Sequence, residues 1–214
     1  MDTPLSGHSY SSSESPFIQN PAPGDFTPAG RRSSSANANA VYRTETAIKE
    51  AWAILSPADR ADTKPKLQEL QKARQIFMDQ RSQLNAMNAS DASLWLDVLW
   101  GLMVTEQNMS GYRNFDNAGR LGHVKEAENY ANQLVHYVTK SGDAGKPILL
   151  RLEENILRGQ KACLKSKMGE TVDTKRAKQE AVRGIDEGLE SLRDIDLDRY
   201  HKHFAYAQSW RKRF

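Results

Sequence analysis

Two textures divide the chain. Up to about residue 40 the apolar positions follow no period, and Phe17, Ile18 and Phe26 are almost the only large ones among Ser, Pro, Gly, Asn and Ala. Beyond it they recur every three or four positions, the spacing that lines one face of an α-helix. The first such run starts near Tyr42 and uses Ala47, Ile48, Ala51, Trp52 and Leu55. Ser56-Pro57 resets it, since serine caps a helix and proline suits its first turn, and Pro65 marks a further start. From 66 to 87, Leu67, Leu70, Ala73, Phe77, Leu84 and Met87 make one stripe, with Lys72, Arg74, Gln80 and Arg81 mostly on the wet side.

The densest stretch runs from Leu94 to Val104. At about 100° per residue its apolar side chains sweep roughly two-thirds of a helix circumference, leaving a narrow seam of Asp97, Gly101, Thr105 and Asn108. A helix apolar nearly all round is enclosed by neighbours unless it spans a membrane, and this run is too short and too interrupted to span one. The pattern predicts a central buried helix over 91–109, capped by Ser90 and ended by Gly111, with the seam and its Asp97 toward water. The connection that follows, from Ser110 to Arg120, is longer than most helix connections. Its Tyr112, Arg113 and Phe115 are candidates for partner contacts, the plainer reading being that the two rings fold back on the core.

Helix four is expected over about 121–139, burying Val124, Ala127, Ala131, Leu134 and Val138. After the short Gly142–Gly145 connection the next helix should lie antiparallel, starting at Pro147 with Leu149, Leu152, Ile156 and Cys163 inward and Gly169 at its end. Helix six, about 172–195, carries Ala181, Ile185, Gly188, Leu192 and Ile195 on one stripe. Each interior glycine costs about 1 kcal/mol relative to alanine, so Gly184 and Gly188 point to a close helix crossing. A last helix over 197–214 sets Tyr200, Phe204, Ala207 and Phe214 along one side. The fold class is therefore all-α: a compact antiparallel bundle or array of about six to seven helices over 41–214, preceded by a disordered Ser/Pro-rich tail over 1–40 that lacks the apolar content to offset its ordering entropy.

Length and charge add modest bounds. The 214 residues suffice for one sizeable core, the single cysteine rules out an intrachain disulfide, and the net charge of +3 names no partner. The first twenty residues hold Asp2 and Glu14 without Lys or Arg, which argues against secretory and mitochondrial leaders. The expected setting is the cytoplasm, the nucleus or both.

Candidate chemistry is sparse. Thr3, Ser15 and Thr27 each precede proline, and Ser34 follows two arginines, so the tail offers phosphorylation candidates that would add about −1.5 to −2 charges each; a tail used that way suits a eukaryotic host. Gly142-Asp143-Ala144-Gly145-Lys146-Pro147 fails the phosphate-loop spacing, which needs four residues between the glycines and Ser or Thr after Lys. His201 and His203 point to different sides of a helix, His123 and His136 have no ligand pattern, and no Glu-x-x-His pairs build a carboxylate-bridged metal site. Neither metal nor cofactor is implied. Arg199, Lys202, Trp210, Arg211, Lys212 and Arg213 combine cations with a ring, the composition that contacts phosphates and bases. The leading expectation is a non-catalytic helical protein–protein interaction module, an adaptor with a phosphorylatable tail. The alternatives are a nucleic-acid-associated protein using the C-terminal segment and an enzyme with an unrecognised helical active site. Partner identity and oligomeric state are not legible.

Overall fold

A computed structural model of the protein describes residues 35–55, 65–170 and 173–214, except for the side chains of 35–37, 196–199 and 201–202. Among the described residues there are six helices and no strand. Helix α1 (Ser35–Leu55) begins before the tail boundary expected at residue 40; its alanine-rich start is good helix-forming sequence, and further along it buries Thr44, Ile48, Ala51, Trp52 and Leu55. The reset expected at Ser56-Pro57 lies outside the described residues. Helix α2 (Leu67–Ala86) starts just past Pro65, where the Glu69 carboxylate accepts the Lys66 N–H at 2.7 Å. Its inner face is Leu70, Ala73, Phe77 and Leu84, joined by Gln80, which is buried and not on the wet side.

Helix α3 (Ala92–Met109) is the enclosed one: Trp95, Leu99, Trp100 and Met103 are all buried. Its cap is Asp91, one residue later than Ser90, because the longer acceptor reaches both Ser93 N at 2.9 Å and Leu94 N at 3.4 Å. The seam does not face water as expected. A Cβ on Gly101 would lie 2.3 Å from Phe77 Cζ, Thr105 Oγ1 donates to the Gly101 carbonyl at 2.6 Å, and only Asp97 and Asn108 are partly open. The missing side chain at Gly101 is the slot that α2 fills with Phe77.

Helix α4 (Asn117–Val138) is capped by Asp116, which accepts from Gly119 N at 2.7 Å, and so begins before the expected Leu121. Helix α5 (Gly145–Lys167) ends at Gly169, whose φ of +86° lets the Glu170 N–H return to the Lys165 carbonyl at 3.0 Å. Leu149, Leu152 and Ile156 are buried, while Cys163 is only half-buried. Each helix packs on its sequence neighbours and α1 also meets α3, so the body is an array of antiparallel helices sharing one continuous core.

Helix α6 (Thr174–Arg211) is one helical run but cannot be straight. Arg211 pairs with Asp186, which a straight helix would hold about 37 Å away, and the Arg193 guanidinium lies 4.9 Å over the Phe204 ring. Both pairs are centred on the 198–199 peptide, so the chain reverses between Ile195 and Tyr200. The N-terminal arm runs antiparallel to α5: a Cβ on Gly188 would lie 2.6 Å from Leu152 and one on Gly184 would lie 2.4 Å from Asn155, the close crossing those glycines suggest. The C-terminal arm returns parallel to α5, with Tyr200 against Gly145 and Phe214 against Gly159. Ile195, expected inside, is exposed because it sits where the chain turns away from α5.

Candidate functional site

The sequence candidates are dispersed. Thr3, Ser15, Thr27 and Ser34 lie outside the described residues, as do the side chains of Arg199 and Lys202. In the segment linking α3 to α4, Tyr112 donates its hydroxyl proton to the Pro65 carbonyl, and Phe115 sets its ring edge-on to His123 at 4.6 Å. Both rings pack against the core, leaving Arg113 exposed. In the C-terminal arm Tyr200, His203, Tyr206 and Ala207 are buried. Trp210 stacks on Phe214 at 5.6 Å, and Arg213 lies 4.7 Å over the Trp210 ring. Arg211 is held by Asp186, Arg211 Nη2 reaching Asp186 Oδ2 at 3.1 Å, and Lys212 is exposed. Trp210 and Phe214, the rings that base stacking would use, pack against the core, Phe214 beside Gly159 of α5, with Arg211, Lys212 and Arg213 around them.

Two buried acids that the pattern did not single out organise the interior. Glu106, near the end of α3, is 1% exposed. Its Oε1 accepts from Arg74 Nε of α2 at 2.5 Å, and its Oε2 pairs with His123 Nδ1 of α4 at 2.6 Å. A carboxylate only accepts, so the imidazole proton sits on Nδ1. Arg74 is pushed above its ordinary range by the Glu106 bond. One turn on, Arg120 of α4 donates to the Ser110 carbonyl at 2.7 Å. Three helices and the covering Phe115 thus meet at one carboxylate. A carboxylate that fixes a histidine tautomer is an element of acid–base catalysis, but here the Phe115 ring covers the imidazole and the described recesses lie elsewhere, along α6.

Glu153 of α5 is the second. It is 3% exposed, and its Oε2 accepts from the Gln107 amide of α3 at 3.0 Å. Burial pushes its carboxyl up to about 7, the Gln107 bond opposing the shift. Tyr206 of the C-terminal arm is driven well above its ordinary range by burial and then by the nearby Glu153 charge. Both acids were findable, because Glu106 is three and seven residues after Met103 and Leu99, and Glu153 is four after Leu149; each falls on a buried stripe. Asp97 drew attention because it interrupts an apolar run, yet it is the less buried acid.

Two open recesses share Asp186 and Glu190 and follow the outer side of α6. One, of about 570 Å³, is lined by Lys175, Lys178, Val182, Arg183 and Phe214 among others; the second, of about 500 Å³, lies between the arms beside Leu189, Arg193, Gln208 and Lys212. Among the described residues no three His, Cys, Asp or Glu side chains are placed to hold a metal ion, and no helix is long and apolar enough to cross a membrane. No family model, curated protein or solved structure matches the chain.

Proposed function

We propose that the protein is a non-catalytic helical interaction module of the cytoplasm or nucleus, an adaptor with a phosphorylatable N-terminal segment. The observation that carries this reading is how the buried titratable groups are used. Glu106 is spent on Arg74 and His123, and Glu153 on Gln107, within packed helix seams. Catalysis needs such groups to converge on a space that admits a substrate. The open recesses instead follow the outside of α6, where Lys175, Lys178 and Arg183 give way to Asp186, Glu187 and Glu190. A charge-banded groove with Val182 and Phe214 in it suits the polar rim and apolar centre of a protein contact. A partner there would gain orientation from the bands and affinity from the floor.

The test is cross-linking mass spectrometry on the full chain captured from its native host, compared with a Lys175→Glu, Lys178→Glu, Arg183→Glu variant. The reading expects a partner cross-linked to α6 whose recovery falls at least tenfold in the variant, and a change in recovery after phosphatase treatment. Cross-links spread evenly over the surface, or recovery unaffected by the charge reversal, would overturn it.

A further inference from the structure

The face of α6 that the recesses follow carries its charge in bands, and the bands are antisymmetric about their own midpoint. Lys175, Gln179, Val182, Asp186 and Glu190 recur at three- and four-residue steps, so they form one stripe about 22 Å long. Lys178 and Glu187 flank it and line the same recess. Lys175 lies as far before the 182–183 peptide as Glu190 lies after it, and the same holds for Lys178 with Glu187 and for Gln179 with Asp186. Half-buried Val182 stands at the centre, and Phe214 lines the recess with it. Between the ends, charge is neutralised along the helix by Arg176 with Glu180 at 2.9 Å and Arg183 with Glu187 at 3.7 Å, and Asp186 has Arg211. Among the described residues, Lys175, Lys178 and Glu190 form no ion pair within their own chain.

The helix does not need this arrangement for itself. A helix N-terminus is electropositive and is stabilised by acids, yet α6 has none in its first turn and places Lys175 and Arg176 there. Nor is the banding general: on α4 Lys125 adjoins Glu126, and on α5 Arg151, Glu154 and Arg158 alternate in sign. We infer that the α6 face from Lys175 to Glu190 seats the same face of a second copy of the chain, antiparallel to it about a two-fold axis near Val182. The inference rests on reading the α6 recesses as a contact surface, and it names their occupant. An unrelated partner must supply the complement of the bands, whereas a copy turned end for end already carries it.

The two-fold puts Lys175 at the height of the copy's Glu190 and Lys178 at the height of its Glu187, and each match occurs twice. A parallel pair would set lysines against lysines. Exposed pairs hold little one at a time, so the apolar centre supplies the affinity while the bands set orientation and register. Reversing one band turns attraction into like-charge contact at both ends of the dimer. Two chains reversed in opposite bands therefore each lose the ability to pair with themselves and keep the ability to pair with one another.

The experiment is sedimentation velocity on the purified full chain from about 1 to about 100 µM. The expected result is a dimer that weakens at least tenfold in Lys175→Glu, Lys178→Glu and in Glu187→Lys, Glu190→Lys, and returns in an equimolar mixture of the two variants. Should either variant not fold, the unaltered chain carries the decision: a mixture of ¹⁴N and ¹⁵N protein treated with a carbodiimide should give interchain cross-links from Lys175 or Lys178 to Glu187 or Glu190. A chain that stays monomeric, a dimer that survives both reversals, reversals that the mixture leaves unrestored, or interchain cross-links that avoid α6 would each overturn the proposal. Host proteins cross-linked to α6 of a monomeric chain would overturn it too, and would leave the interaction reading standing.

Discussion

Glu106 and Glu153 are buried to almost the same extent, yet they do opposite things to the regions around them. Around Glu106 every bond crosses a helix boundary: Arg74 arrives from α2 and His123 from α4, so the charge joins three elements. Around Glu153 there is one neutral amide, from Gln107 of α3. Burying a carboxylate costs several kcal/mol, recovered only when a cation and good geometry replace the lost water. The middle of the array meets that condition and its end does not. Depth of burial therefore says little about what an acid contributes; its partner decides.

Substitutions that exchange the two situations should move stability in opposite directions. The largest effect is expected for Glu153→Gln. Its carboxyl is raised in the folded state to about 7, so stability is fully present at low pH and declines as pH climbs from about 4.5 through 7; at pH 8 the loss is about 3 kcal/mol. The amide variant carries no charge and should recover most of that at pH 8 and almost none at pH 5, read by urea denaturation at both. Glu106→Gln should do the reverse, losing about 2 kcal/mol at pH 7.5, since Arg74 loses its counter-charge but is open enough to be partly rehydrated. A gain there would erase the distinction between the two acids.

Two glycine changes sharpen the same contrast at lower amplitude. Gly188→Ala places a methyl 2.6 Å from Leu152 at the α5–α6 crossing and should cost about 1 kcal/mol despite its better helix propensity. Gly122→Ala, on the exposed side of α4 with nothing within 4 Å, should stabilise by slightly less than 1 kcal/mol. A thermal melt of the pair separates the packing cost from propensity, because only the first position meets a neighbouring helix.

Where helices form, and which of them is enclosed, could be read from spacing alone, because a residue's face on a helix depends only on its distance along the chain from its neighbours. That logic covers the α2 stripe, the all-round apolarity of α3, the stop at Gly169 and the small-residue crossing at Gly184 and Gly188. It extends to the presence of Glu106 and Glu153 on buried stripes, although not to their roles. What the tertiary structure decided is everything that depends on which helix lies across from which: that the Gly101 seam receives Phe77 and excludes water, that Tyr112 and Phe115 turn inward, and that α6 doubles back so the C-terminal rings face α5. Arg74 and His123 are separated from Glu106 by 32 and 17 residues, and Gln107 from Glu153 by 46. Pairings at such separations carry no local period, so what a buried acid meets, and what that does to its charge, is set only once the helices have packed.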